Sequence, residues 1–130
     1  MIVGIGTDLV EIVRVERALE RHGDRFARRI LVAQEYERFT AHRKPAAYLA
    51  KRFAAKEAFS KAMGTGMRAP VNWQNLGVVN HSSGRPYFEL SDALAELVRR
   101  RGIRSVHVSL TDERGMAAAF VVLEGELDGA

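Results

Sequence analysis

The chain contains no cysteine. It can build neither a disulfide framework nor a thiolate metal site, and a reducing, cytoplasmic setting is expected. No apolar run approaches the length of a membrane span, so no membrane association is expected. The first residues, Met-Ile-Val-Gly-Ile-Gly-Thr-Asp, lack the basic start and apolar stretch of a secretory leader. The four histidines are scattered, with no paired metal-ligand spacing. There is no internal repeat and no low-complexity tract. Interleaved surface aromatics and any known nucleic-acid module are also missing, which makes nucleic acid a poor partner. What is present is globular material: 130 residues, 47% hydrophobic, enough for one domain with a core and no second. The net charge is +4 and arginine far outnumbers lysine. Arginine grips carboxylates and phosphates in two places, so an acidic protein or a phosphorylated small molecule is the expected partner class.

Hydrophobic spacing divides the chain into a helical half and a stranded half. Ile2 to Ile5 reads as a short buried strand ending in Gly6-Thr7-Asp8. Ile12, Val15, Ala18 and Leu19 recur at helical spacing up to a stop at Gly23. Asp24 is placed to cap a short helix through Ile30, and a third helical piece runs from Ala33 to Ala41. Pro45 opens a long helix that Gly64-Thr65-Gly66 ends. Leu76 to Val79 and Pro86 to Leu90 read as paired strands. Ser91 caps a helix ending near Gly102, and Ile103 to Leu110 and Met116 to Leu123 form a last hairpin. This predicts an α+β domain over residues 1–124, N-terminal helices packed on an antiparallel sheet, with a frayed tail over 125–130.

The long helix carries the strongest chemical signal. With Leu49 at zero and about 100° per residue, Phe53 falls at about 40°, Glu57 at about 80°, Lys61 at about 120° and Ala54 at about 140°. A carboxylate and an ammonium therefore sit inside an apolar stripe. That is costly unless they face a cleft or bind something, although an i,i+4 salt bridge would also account for them. Asp8, at the end of the first strand, is a turn or capping aspartate on its own. Together with Glu57 it makes two hard oxygen ligands of the kind Mg²⁺ takes, with Lys61 placed to neutralise a phosphate. Gly64-Thr65-Gly66 either offers backbone N–H groups to an anion or simply caps the helix. His107 and Ser109 alternate with Val106, Val108 and Leu110, and so lie on the opposite face of their strand. No acidic residue nearby in sequence completes a hydrolase triad. Arg14, Arg17 and Arg21 share one helix face, followed by Arg25, Arg28 and Arg29. The ordinary reading is a solvated face, and the active one is docking of an acidic helix.

These pieces resemble one family in content and order. Ile5-Gly6-Thr7-Asp8, the run Arg52-Phe53-Ala54-Ala55-Lys56-Glu57-Ala58-Phe59-Ser60-Lys61-Ala62-Met63-Gly64-Thr65-Gly66, and His107-Val108-Ser109-Leu110-Thr111-Asp112 look like the holo-acyl-carrier-protein synthases. These are the short bacterial class of 4′-phosphopantetheinyl transferases. The likeness extends from Met1 to about Glu124. It implies that coenzyme A donates its 4′-phosphopantetheine arm to a serine of apo-acyl carrier protein, releasing adenosine 3′,5′-bisphosphate. It further implies Asp8 and Glu57 as Mg²⁺ ligands and Lys61 on the phosphates. Arg52, His107 and the Gly64-Thr65-Gly66 loop would lie around the nucleotide. Glu57, directly or through a water, is the candidate base. Arg14 and Arg21, helped by Arg25 or Arg28, would meet the acidic carrier. The resemblance also implies a homotrimer with active sites between neighbouring subunits. One departure is Met116, where many relatives have tyrosine before the Ala-x-Ala of the last strand. Against this stand a non-catalytic basic module that docks acidic proteins, and a Mg²⁺-dependent enzyme acting on another phosphate ester.

Overall fold

The computed structural model describes residues 1–126. In chain order the elements are β1 (Ile2–Glu11), α1 (Ile12–His22), α2 (Asp24–Ile30), α3 (Ala33–Ala41), α4 (Pro45–Met63), a 3₁₀ turn (Trp73–Asn75), β2 (Leu76–Asn80), β3 (Pro86–Leu90), α5 (Asp92–Arg100), β4 (Ile103–Glu113) and β5 (Met116–Gly125). One antiparallel sheet has the order β1-β5-β4, and β2 pairs with β3 in a separate hairpin. The expected α+β class is the observed one. Among the described residues no helix is long and apolar enough to cross a membrane.

Helix α4 is apolar nearly all round because it is covered nearly all round. It begins with Pro45 at its first position and ends in left-handed Gly64 at φ 75°, as the sequence predicts. Ala50, Ala54, Ala58 and Ala62 recur every fourth residue and form a smooth, buried stripe. The sheet answers with Gly4, Gly6, Ala117 and Ala119. A Cβ on Gly6 would stand 1.9 Å from the Ala58 carbonyl oxygen, and one on Gly4 2.3 Å from that of Ala62. The two glycines therefore provide clearance for the helix. On one side of α4 lies a cluster containing Phe59, Met63, Leu76, Leu94 and Leu123. On the other lies a smaller one containing Val15, Ile30, Leu31 and Leu49, which holds α1 and α2 in place.

Four local expectations are corrected. Strand β1 does not stop near Asp8, since it pairs with β5 from Ile2↔Glu124 to Glu11↔Met116. Nor is it buried throughout, because Ile5 and Leu9 are 56% and 65% exposed. Asp24 does not cap α2: Gly23 occupies the cap position, and the Asp24 carboxylate instead accepts from Arg28 and Tyr36. Gly125, placed in the tail by the sequence, closes β5, where its N–H donates to the Met1 carbonyl at 2.9 Å. The rest of that tail, beyond Glu126, lies outside the described residues. Two other local readings hold. Ser91 Oγ accepts the Leu94 N–H at 3.2 Å, and β4 turns into β5 through Arg114 and Gly115, both at positive φ.

The sheet face away from α4 has an apolar centre. Ile5, Leu9 and Phe120 stand exposed on it. His107 and Ser109 point the same way from β4, opposite the half-buried Val106, Val108 and Leu110.

Candidate active site

The clearance at Gly4 and Gly6 has a chemical consequence. Asp8 lies on the same side of β1 as these glycines, opposite Ala119, and so meets α4 at short range. Lys61 Nζ donates to Asp8 Oδ1 and to the Thr7 carbonyl oxygen, each at 3.0 Å. Glu57, one helical turn earlier, is half-buried beside them. Burial raises its carboxyl above the ordinary value, the negative charge of Asp8 raises it further, and Lys61 pulls the other way. The second Asp8 oxygen, Oδ2, is buried without a hydrogen-bond partner.

A buried orphan carboxylate oxygen beside a second, destabilised carboxylate is an electrostatically unbalanced pair. A divalent cation would balance it. Among the described residues no group of three or more acidic, histidine or cysteine side chains could hold a metal. Two carboxylates, with the remaining positions left to water and substrate phosphate, are nevertheless an ordinary magnesium donor set. The residues present therefore fit the ion.

Asp8 and Glu57 open into a cleft of about 380 Å³ lined also by Leu9, Val10, Arg14, Val15, Phe26 and Phe53. One end is charged and the rest is apolar, with Phe53 stacked on Trp73 at a centroid distance of 5.2 Å. Arg14 also lines the next groove, with Arg17, Ala18, Arg21 and His22. Arg25 and Arg29 share a third with Phe26. A basic path therefore leads from the surface of α1 and α2 to the carboxylates. The apolar residues of the cleft were not singled out from the sequence. Phe53 left a signal, since it sits about 40° from Glu57 on the helical wheel; Phe26 left none.

The other expected site residues are not in this cleft. Arg52 is buried on another face of α4, where Nη2 donates to Asn80 Oδ1 at 2.8 Å and the guanidinium lies 4.2 Å over the Tyr48 ring. His107, on the outer sheet face, has Nε2 2.5 Å from Glu124 Oε1. The Gly64-Thr65-Gly66 loop closes the end of α4. The Gly64 N–H donates to the Lys61 carbonyl, and the Thr65 and Gly66 N–H groups to that of Ser60. Those N–H groups cap the helix and are not free to cradle an anion, and the Thr65 hydroxyl donates to the Gly66 carbonyl at 2.7 Å. Arg28 is also committed, with Nε 2.6 Å from Asp24 Oδ2 and its guanidinium 4.3 Å over the Tyr36 ring. The exposed arginines of α2 that face the groove are Arg25 and Arg29.

Comparison with known proteins places the chain in a family. The family model described as ACPS, 4′-phosphopantetheinyl transferase superfamily, matches residues 4–121. A holo-[acyl-carrier-protein] synthase of Nitrosomonas europaea is 56% identical over 124 residues, 95% of this chain and 99% of the relative. One from Laribacter hongkongensis is 53% identical, covering 96% of this chain and all of the relative. Among solved structures, the holo-[acyl-carrier-protein] synthase of Neisseria meningitidis is similar at a TM-score of 0.92 and 46% identity, over 95% of this chain and 99% of that one. The synthase of Bacillus anthracis, solved in complex with CoA (3′,5′-ADP), is similar at 0.81 and 35%, over 97% and 99%.

Proposed function

This chain belongs to the 4′-phosphopantetheinyl transferase superfamily, and we propose that its carboxylate cleft carries the family's transfer. The chain moves the 4′-phosphopantetheine arm of coenzyme A onto a serine of apo-acyl carrier protein, leaving adenosine 3′,5′-bisphosphate. The observation that supports placing the chemistry here is the meeting of Asp8, Glu57 and Lys61 at the end of a basic path.

In this reading Asp8 and Glu57 hold Mg²⁺, which when bound would neutralise the pyrophosphate oxygens of coenzyme A. Lys61 is 53% exposed at its side chain and can swing from Asp8 to a phosphate, adding a second positive charge where negative charge develops. Glu57 is the candidate to accept the serine proton, directly or through a water. The remaining work is positioning: the apolar wall excludes water, and the basic helices hold the carrier.

The carrier docks on α1 and α2, with Arg14, Arg21 and Arg25 as contacts and Arg29 taking the role expected of Arg28. Reversing the charge of Arg14 is expected to raise the KM for the carrier by roughly tenfold and to flatten its salt dependence. Steady-state kinetics at several ionic strengths would measure this, and unaltered carrier kinetics would remove α1 as the docking face.

A single chain does not bring Arg52 or His107 to the carboxylates. The uncovered sheet face with Ile5, Leu9 and Phe120 supports a homotrimer in which a neighbouring subunit supplies His107 to each site. A cytoplasmic location is part of the same proposal. The deciding experiment incubates the protein with apo-carrier, coenzyme A and Mg²⁺ and reads the intact carrier mass. A gain of one phosphopantetheine arm, abolished by EDTA, is expected. No gain, from folded protein offered several carriers, would favour a non-catalytic docking module.

A further inference from the structure

Helix α2 has seven residues, and its C-terminal end is held by side chains from elsewhere in the fold. A helix leaves its last four carbonyls without intrahelical partners. In α2 these belong to Ala27, Arg28, Arg29 and Ile30. The Ala27 oxygen accepts the Leu31 N–H at 2.9 Å. The Gln74 amide nitrogen, reaching over from the 3₁₀ turn, lies 3.0 Å from the Arg28 oxygen, 3.2 Å from that of Arg29 and 2.9 Å from that of Leu31. Lys56 Nζ donates to the Ile30 oxygen at 2.5 Å. All four carbonyls thus meet a donor, two of them through one exposed glutamine.

What α2 carries gives this clamp its meaning. Phe26 forms part of the wall of the carboxylate cleft, and Arg25 and Arg29 flank the adjoining groove. Both surfaces turn together if α2 turns. Gln74 lines neither cavity, so it can affect them only through α2. A helix this short has little stability of its own, and an unheld end would fray.

We propose that Gln74 is a positioning residue for carrier recognition: by clamping the end of α2 it sets Arg25 and Arg29 in line with Arg14 and Arg21. The inference rests on the docking of the acidic carrier at α1 and α2. Lys56 shares the clamp, but it is tied into the core and cannot be altered without disturbing the fold. Gln74 is exposed, which makes it the cleaner handle.

The test compares Gln74→Met and Gln74→Glu with the parent protein. Both keep the length of the side chain and neither can donate at neutral pH. Backbone amide exchange through α2 in the free enzyme is expected to quicken. The KM for the apo-carrier is expected to rise roughly five- to tenfold, a larger change than that in kcat or in the KM for coenzyme A, which follow only from the single cleft contact at Phe26. Unchanged amide exchange would overturn the clamp. Quickened exchange with an unaltered carrier KM would overturn its role in recognition, provided Arg14→Glu raises that KM in the same assay. If Arg14→Glu also leaves it unaltered, the docking face itself is wrong and the role of Gln74 falls with it.

Discussion

Glu57→Gln is expected to lower phosphopantetheine transfer by at least roughly a thousandfold at saturating substrate, with no loss of thermal stability. The two halves of this outcome have one cause. Glu57 is held half-buried beside Asp8, and its carboxyl is raised first by burial and then by that neighbouring charge. Its ionised form is therefore less favourable in the fold than in the unfolded chain. At neutral pH, above the ordinary glutamate value, this is a penalty on the native state, and a neutral amide of the same shape relieves it. The same amide removes one of two cation ligands and the candidate base. The pH dependence follows with a definite sign. Protonated Glu57 cannot hold a cation, and its raised pKa keeps it protonated to higher pH than the ordinary 4.5. On acidification the Mg²⁺ half-saturation of the parent enzyme should begin to rise above that pH, and excess Mg²⁺ should push the acid limb back down. Melting curves and Mg²⁺ titrations of the rate at several pH values would check all of this. A Glu57→Gln variant within tenfold of the parent rate, with an unchanged Mg²⁺ response, would take Glu57 out of the site.

Much of this site was legible in the sequence because two charges sat where a buried helix should be apolar. Asp8, about fifty residues earlier in the chain, could be set beside them as a second hard oxygen ligand, and the family resemblance implied the same grouping. What could not be read were partnerships made in space. The polar pair Thr7-Asp8 looked like the end of a strand, yet pairing of Thr7 with Phe120 and Asp8 with Ala119 carries β1 on to Glu11. Nothing in the sequence announces that the Ala58 and Ala62 carbonyls press on Gly6 and Gly4. Arg28 was indistinguishable from its exposed neighbours until Asp24 and Tyr36 claimed it. The glycine loop after α4 allowed two readings in sequence, and the hydrogen bonds of its N–H groups choose the cap.

The residue least visible in sequence is the one next to Glu57. Lys56 reads as an ordinary helix lysine, but it is wholly buried, and so is Glu35. Its Nζ donates to Glu35 Oε1 at 2.7 Å, to the Ile30 carbonyl at 2.5 Å and to the Trp73 carbonyl at 3.0 Å. Glu35 in turn accepts the Val32 N–H at 2.9 Å and the Val78 N–H at 2.7 Å. One ion pair therefore ties the end of α2, the start of α3, α4, the 3₁₀ turn and β2 together. Burial lowers the Lys56 pKa, and Glu35 offsets part of that. Lys56→Met is expected to destabilise the protein by about 3–5 kcal/mol, because it strands a buried carboxylate and two carbonyls. That corresponds to a Tm lower by roughly 10–20 °C. Changing Glu35 to Gln as well should cost clearly less than the sum of the single changes, since the stranded charge is then gone. It should not restore the parent value, since the Ile30 and Trp73 carbonyls still lack their donor. Adjacent residues on one helix would thus fail in opposite ways: Glu57→Gln loses turnover and keeps its Tm, while Lys56→Met loses Tm first and, at saturating carrier, keeps turnover in whatever fraction remains folded at low temperature. Denaturant melts beside rate measurements at low temperature would separate them. A Lys56→Met variant as stable as the parent would show that the ion pair does not hold these five segments together.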